Sequence, residues 1–226
     1  MTLPFDFHTH RLDATRALIS VDPRRFIPEP GKWYSVGFHP WDTTEVLSKS
    51  DCELLEQCAR HNQVLAIGET GMDNRRGADM EVQRQVFAQH LKLAAAMDKP
   101  VVVHSVKTAQ EILAMRRSLG LTGVILAIHG MRANERIARL LLDEGCYLSF
   151  GARFNPRSLL ETPLERLLIE TDEAPIPIED VAASVAIHLN LSADEIINRT
   201  SINAQQLLHI YPDLSFLPSA AKQVIQ

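Results

Sequence analysis

Short apolar runs recur along the chain, and segments with apolar residues every three or four positions separate most of them. The first run, Leu3 to about His8, predicts a strand that closes on Asp6-Phe7-His8-Thr9-His10. Thr15 to Ser20 predicts a second strand. Too few residues precede it for a full crossover helix, so the first crossover helix is expected to be missing. Val21 to Gly31 holds three prolines, which forbid regular helix. Trp33 to Phe38 is the third strand and ends at His39-Pro40. Thr43 to His61 is helix-like, with Leu47, Leu54, Leu55, Cys58 and Ala59 available for one face. Gln63 to Gly68 predicts a strand running into Glu69. Asp79 to Asp98 is the clearest helix, with Val82, Val86, Leu93 and Met97 as its stripe and Asp79 as its N-cap.

Pro100 to Val103 predicts a strand buried on both faces and ending at His104. A helix over Thr108 to Leu119, a strand over Gly123 to Ile128 ending at His129, and a helix over Arg132 to Glu144 stopped by Gly145 come next. Cys146 to Phe150 and Arg166 to Glu170 are the last strands, the latter running into Asp172, and helical patterns cover 179–189 and 193–209. Eight strands, mostly alternating with helices, predict a parallel sheet closed as a compact, slightly degenerate α/β (β/α)8 TIM barrel. It would form one domain over residues 1–211, with a weakly patterned C-terminal tail at 212–226. An open doubly wound sheet is the alternative, but that fold usually carries a Gly-rich loop after its first strand, where this chain has His-Thr-His.

Composition changes this picture little. Of 226 residues, 46% are hydrophobic and 23% charged, ordinary for a soluble globular protein. No apolar run reaches the roughly 18 residues of a membrane span. No basic segment followed by an apolar stretch marks the N-terminus, so the expected location is the cytoplasm. Cys52, Cys58 and Cys146 are odd in number and lack metal spacing, so they read as packing or surface thiols. The formal net charge of -5 argues against a broad basic nucleic-acid surface.

The chemistry lies in where the histidines fall. Five of nine, His8, His10, His39, His104 and His129, sit at the C-terminal end of a predicted strand, as do Glu69 and Asp172. His61, His90, His188 and His209 lie in helical segments and read as surface or packing residues. Alternate strand residues share a face, so His8 and His10 should point one way and Phe7 and Thr9 the other. In a parallel barrel the strand ends meet at one mouth, where such enzymes carry their active sites. Without a cation, four imidazoles (His8, His10, His104, His129) and two acids gathered there would carry an unrewarded desolvation cost.

These pieces, with Gly37-Phe38-His39-Pro40, Gly68-Glu69-Thr70-Gly71-Met72-Asp73, Pro100 to Ser105, His129-Gly130 and Leu168-Ile169-Glu170-Thr171-Asp172, resemble the TatD-type family of metal-dependent hydrolases within the amidohydrolase-like barrels. The resemblance spans roughly residues 5–210. It implies two divalent cations and hydrolysis of phosphodiesters, typically in DNA; the four imidazoles favour zinc, manganese, nickel or iron, and the resemblance pulls toward magnesium. His8, His10 and Asp172 would hold one metal, His104 and His129 the other, and Glu69 would bridge. Asp172 would also take the proton of the attacking water, making it and Glu69 the catalytic residues. His39, Asp73, Lys107 and Arg153 are candidates for touching substrate. The chain departs from the family at His129-Gly130-Met131-Arg132-Ala133, where members usually have His-Cys-Phe-Ser-Gly, and at Val106-Lys107, where Arg is common.

The expected partner is DNA or a small phosphodiester, with no membrane and no partner protein. An amide, ester or lactone hydrolase on the same centre is the alternative enzyme. A metal-binding protein without turnover is the reading from outside enzymes.

Overall fold

A computed structural model describes residues 3–210; the expected tail at 212–226 lies outside them. Eight parallel strands are hydrogen-bonded in sequence order: β1 (Asp6–Thr9), β2 (Ala17–Val21), β3 (Trp33–Val36), β4 (Val64–Asp73), β5 (Val101–Val106), β6 (Leu126–Ile128), β7 (Tyr147–Phe150) and β8 (Leu167–Ile169). A parallel bridge between Thr9 and Asp172 joins the two edges, so the sheet is a nearly closed barrel. The helices are α1 (Lys49–Ala59), α2 (Met80–Met97), α3 (Ala109–Ser118), α4 (Glu135–Asp143), α5 (Pro156–Glu161), α6 (Ile178–Leu189) and α7 (Ala193–Leu207).

The first crossover has no helix, as its length implied, and the second holds only a 3-10 turn at Pro23–Arg25 in the proline-rich segment. Elsewhere local chemistry moves the boundaries. The helix expected from Thr43 begins instead at Lys49, because Ser48 and Asp51 form a reciprocal capping box. β4 does not stop before Glu69 but continues to Asp73 beside β5, pairing Gly71 with His104. In α2 the fully buried face runs through Val86, Phe87, His90, Leu91 and Ala94, while Val82, Leu93 and Met97 lie at its margin. Asp79 occupies the N-cap of α2 but makes no side-chain capping bond. The short helix α5, which no apolar stripe announces, starts at Asn155-Pro156, where the Asn155 side chain caps Arg157.

Two buried clusters divide the core. Ile19, Val36, Ile67, Val103, Ile128 and Phe150 pack outward against the helices. Leu18, Ala66, Val102, Ala127 and Leu168, at alternating positions, fill the barrel with Phe5 and Phe7, where they meet Ala204, Leu207 and Leu208 at the end of α7. Phe7 therefore does not stand opposite His8. β1 advances three residues, Asp6 to Thr9, where β2 advances two, Ala17 to Ile19. This bulge breaks strict alternation, so Phe7 joins the interior while His8 still reaches the mouth.

His90 is packed completely inside, and its partners fix its proton. Nδ1–H donates to the Val86 carbonyl at 2.8 Å, leaving Nε2 to accept from the Phe38 N–H at 3.0 Å. Burial pushes its pKa down to about 4. Between that value and the ordinary 6.5 the unfolded chain binds the proton and the folded protein does not. Stability from the neutral ring is thus complete above the unfolded value and is lost as pH falls toward the folded one. From about pH 7 to about pH 5, unfolding free energy should fall by about 2 kcal/mol more in the parent than in His90→Gln, as measured by urea denaturation. Parallel pH dependence in the two proteins would contradict the assignment.

Candidate metal centre

Of the groups expected at the mouth, His8, Glu69 and His104 lie within β1, β4 and β5, His10 and His129 follow β1 and β6 directly, and His39 and Asp172 come three residues after β3 and β8. Glu69 is the centre. Its Oε1 lies 2.7 Å from His129 Nε2, 2.9 Å from His104 Nδ1 and 2.9 Å from His39 Nε2. Its Oε2 lies 3.2 Å from both His8 Nε2 and His10 Nε2. Asp172 Oδ1 stands 3.7 Å from His8 Nε2 and 3.6 Å from His10 Nε2.

Backbone geometry sets these positions. Gly68 and Gly71 have φ of +129° and +145°, and a Cβ on either would strike the Val102 or His104 carbonyl. Glycine at both places lets β4 lie close against β5 while Glu69, between them, projects into the mouth. The Glu69 N–H donates to Ser20 Oγ at 3.2 Å. Asp172 is pinned by barrel closure: its N–H donates to the His8 carbonyl at 2.9 Å, and its own carbonyl accepts from the His10 N–H at 3.3 Å and the Thr9 hydroxyl at 3.2 Å. Below it, Thr171 donates both its N–H and its hydroxyl to Asp6, at 2.9 and 2.6 Å. Burial pushes the Asp6 carboxyl up to about 7 against those hydrogen bonds.

Outer partners orient three of the imidazoles. His39 Nδ1 accepts from the Trp41 N–H at 3.2 Å, which leaves the proton of the neutral ring on Nε2, facing Glu69. His104 turns Nε2 toward Asp73 Oδ2 at 3.4 Å and so presents Nδ1 to Glu69. His129 Nδ1 faces Glu170 Oε1 at 3.5 Å, and that same oxygen accepts from the Gly130 N–H at 2.6 Å. Glu170 is fully buried and has no place among the site residues read from the sequence. The signal was available: a carboxylate closing an otherwise apolar buried strand, one alternation before Asp172. Lys107 and Arg153 are exposed on the loops after β5 and β7, and neither makes a hydrogen bond or ion pair to the cluster among the described residues.

The charges are coupled. Burial opposes ionisation of Glu69, yet His129, His10 and His104 hold it well below the usual carboxylate range. Burial likewise opposes charge on His129, but Glu69 and Glu170 raise it well above an ordinary imidazole. His8 is lowered, by complete burial first and by His129 second. Glu170 is lowered because His129 outweighs its burial.

Hydrogen bonding alone leaves this arrangement unsatisfied. His8 Nδ1 and Nε2, Glu69 Oε2 and Glu170 Oε2 are buried without a hydrogen-bond partner, although His8 Nε2 and Glu69 Oε2 are in ion-pair range. Such orphans are rare in folded proteins, and their donor chemistry fits a bound cation. His8, His10 and Asp172 form one group whose ligand atoms are close enough to share a metal ion; His8, Glu69 and His129 form a second, and His39, Glu69 and His104 a third. Imidazole nitrogens with carboxylate oxygens suit a divalent transition metal.

Comparison with known proteins gives the same answer. A family model described as TatD related DNase matches residues 27–209. The chain is 30% identical over 198 residues to the uncharacterized metal-dependent hydrolase YcfH of Escherichia coli K12, covering 78% of this chain and 74% of that one. It is 32% identical over 171 residues to the 3'-5' ssDNA/RNA exonuclease TatD of Cronobacter turicensis, covering 71% and 64%. The fold superposes on the crystal structure of the TatD homolog YJJV from Escherichia coli K12 with a TM-score of 0.71 at 22% identity, covering 86% of each chain. The chain therefore belongs to the TatD family of metal-dependent hydrolases.

Proposed function

We propose that the protein hydrolyses phosphodiester bonds in single-stranded DNA or short phosphodiesters, with divalent cations held by His8, His10 and Asp172 on one side of Glu69 and by His104 and His129 on the other. The observation that carries this is the sharing of one buried carboxylate: each Glu69 oxygen faces a different set of imidazoles. Cations in that cradle supply Lewis-acid polarisation of the phosphoryl oxygens and a lowered pKa for water at the site. Family membership supports the chemistry, and the relative named as an ssDNA/RNA exonuclease supports the substrate class.

The protein's own groups divide the remaining work. Asp172 is partly open to solvent, with 28% of its side chain exposed, and lies beside His8 and His10. Its carboxylate accepts the proton of the attacking water, as a base within hydrogen-bond reach can. The backbone bonds to β1 hold it there. His39 Nε2–H donates to Glu69 Oε1 and so helps to orient the shared carboxylate. Glu170 and Asp73 hold the His129 and His104 rings in the tautomers that turn one nitrogen toward Glu69.

Three outcomes test these assignments. Elemental analysis after reconstitution should find about two divalent ions per chain in the parent. Glu69→Ala should lose both, and His104→Ala about one; a Glu69→Ala protein with two ions and near-parent turnover would remove the bridge. Asp172→Asn should keep most of its metal, since the amide oxygen can coordinate, while kcat on an oligothymidylate falls by about 100-fold, within the range of a lost general base. Run beside an amide, ester and lactone panel, that assay also decides the substrate class. Turnover of the panel alone would replace the phosphodiester reading. Glu170→Gln, measured by metal titration, should weaken metal binding by about 10- to 100-fold without unfolding the barrel.

A further inference from the structure

The Trp41 indole stands beside the metal cradle and offers it no ligand atom. Its ring centroid is 4.9 Å from that of His39 and 5.1 Å from that of His104, nearly perpendicular to both, and the residue is 36% exposed. The indole Nε1–H donates to Asp73 Oδ2 at 2.8 Å, which locks the ring in one orientation. The Arg76 guanidinium lies over the ring, with Cζ 3.9 Å from the centroid. Arg76 is exposed and makes no ion pair among the described residues.

The loop carrying Arg76 is built rather than loose. Asp73 Oδ1 accepts from the Arg75 N–H at 2.8 Å. The Gln83 amide, 3% exposed at the start of α2, accepts from the Asp73 N–H at 2.7 Å and donates to the carbonyls of Arg76 and Ala78 at 3.1 and 2.7 Å. A Cβ on Gly77 would strike the Pro40 carbonyl, so this loop rests directly on the turn that bears Trp41. An immobilised aromatic and a stacked cation are thus held at the rim, next to the imidazoles that meet on Glu69.

We infer that Trp41 and Arg76 form a stacking site for an unpaired nucleobase adjoining the scissile phosphate. The inference rests on the phosphodiesterase reading of the neighbouring centre. A planar guanidinium on an indole offers a flat outer face on which a base can stack, and its N–H edges remain free for the backbone phosphate. Base stacking on such platforms tolerates any sequence. It also requires a single strand, because both faces of a base in a duplex are covered by its neighbours. The balance of charge makes the site matter: with a net charge of -5 the protein has no broad basic groove, so contact with the base must supply part of the grip.

Trp33→Phe leaves Trp41 as the sole tryptophan of this chain. With magnesium present, that protein is titrated with a phosphorothioate pentathymidylate and with an abasic pentamer of the same backbone, following tryptophan emission. The thymidylate should change Trp41 emission and bind about 10-fold more tightly than the abasic chain, the scale of one stacked base. Adding Arg76→Ala should shrink that gap to under about 3-fold. In steady-state hydrolysis of the unmodified oligomers, Trp41→Leu should raise KM for thymidylate far more than for the abasic chain, and Trp41→Phe should restore most of the difference. Equal affinity for the two pentamers, or unchanged emission at saturation, would overturn the stacking site. A stacking gap without phosphodiester turnover would uphold it while removing the assigned reaction; turnover without a gap would remove the stacking site alone.

Discussion

One buried carboxylate governs this molecule. Glu69 is 3% exposed and has five imidazole nitrogens within 3.2 Å of its two oxygens. Taking such a charge out of water is costly, and removing one partner from a buried pair typically costs about 3–5 kcal/mol. The surroundings answer that cost directionally. Asp73 and Glu170 stand behind His104 and His129 and fix which nitrogen faces inward. Glycines on both sides of Glu69 let β4 close on β5, and Ser20 accepts its N–H. Even so, oxygen and nitrogen atoms remain without hydrogen-bond partners, which is what a donor set prepared for cations looks like when counted by hydrogen bonds alone.

The same constraint explains why the barrel can close economically. Two crossovers lack α-helices, so no helix of their own crossovers covers the β1–β2 side. Its register comes instead from polar contacts at the seam. Thr9, His8 and His10 bond the backbone of Asp172, and Asp6 holds Thr171. Closing the sheet and assembling the first three-residue group are therefore one event. At the opposite end the interior needs no chemistry, and the end of α7 covers it with Ala204, Leu207 and Leu208.

Strand order and the converging residues were legible in the sequence because six of the eight parallel strands pair an apolar run with a His, Glu or Asp of the cluster at or near its end. A parallel barrel turns that repetition into a single mouth. What escaped were features set by contacts between distant residues. The β1 bulge depends on pairing with β2, so the alternation that placed Phe7 opposite His8 failed there. The reach of β4 to Asp73 depends on two glycines fitting under the carbonyls of β5, which spacing alone does not show. Glu170 looked like the end of a strand because its partner, His129, lies 41 positions earlier. His90 sat on a helix stripe like any packing residue; only its bond to Phe38 reveals that it supports the turn before His39.

Electrostatics ties the centre to its substrate. Glu69, Asp73, Glu170 and Asp172 bring four carboxyl groups to a mouth meant, on the proposed reading, for a phosphodiester. Three of them, Glu69, Asp73 and Glu170, have pKa values pushed below the ordinary range, so they stay ionised as pH falls toward it. An anionic backbone entering that field without cations would meet repulsion from these groups and only scattered help from Arg76, Lys107 and Arg153. Loading with cations reverses the sign locally, over a region no wider than the cluster, while the rest of the surface keeps its acidic balance. Attraction confined to one or two phosphates favours a strand end or a short chain over a long duplex, and it leaves register along the strand to be set by something other than charge. A rigid aromatic surface one step from the centre can supply that register, because stacking is short-ranged and is not screened by salt as phosphate contacts are.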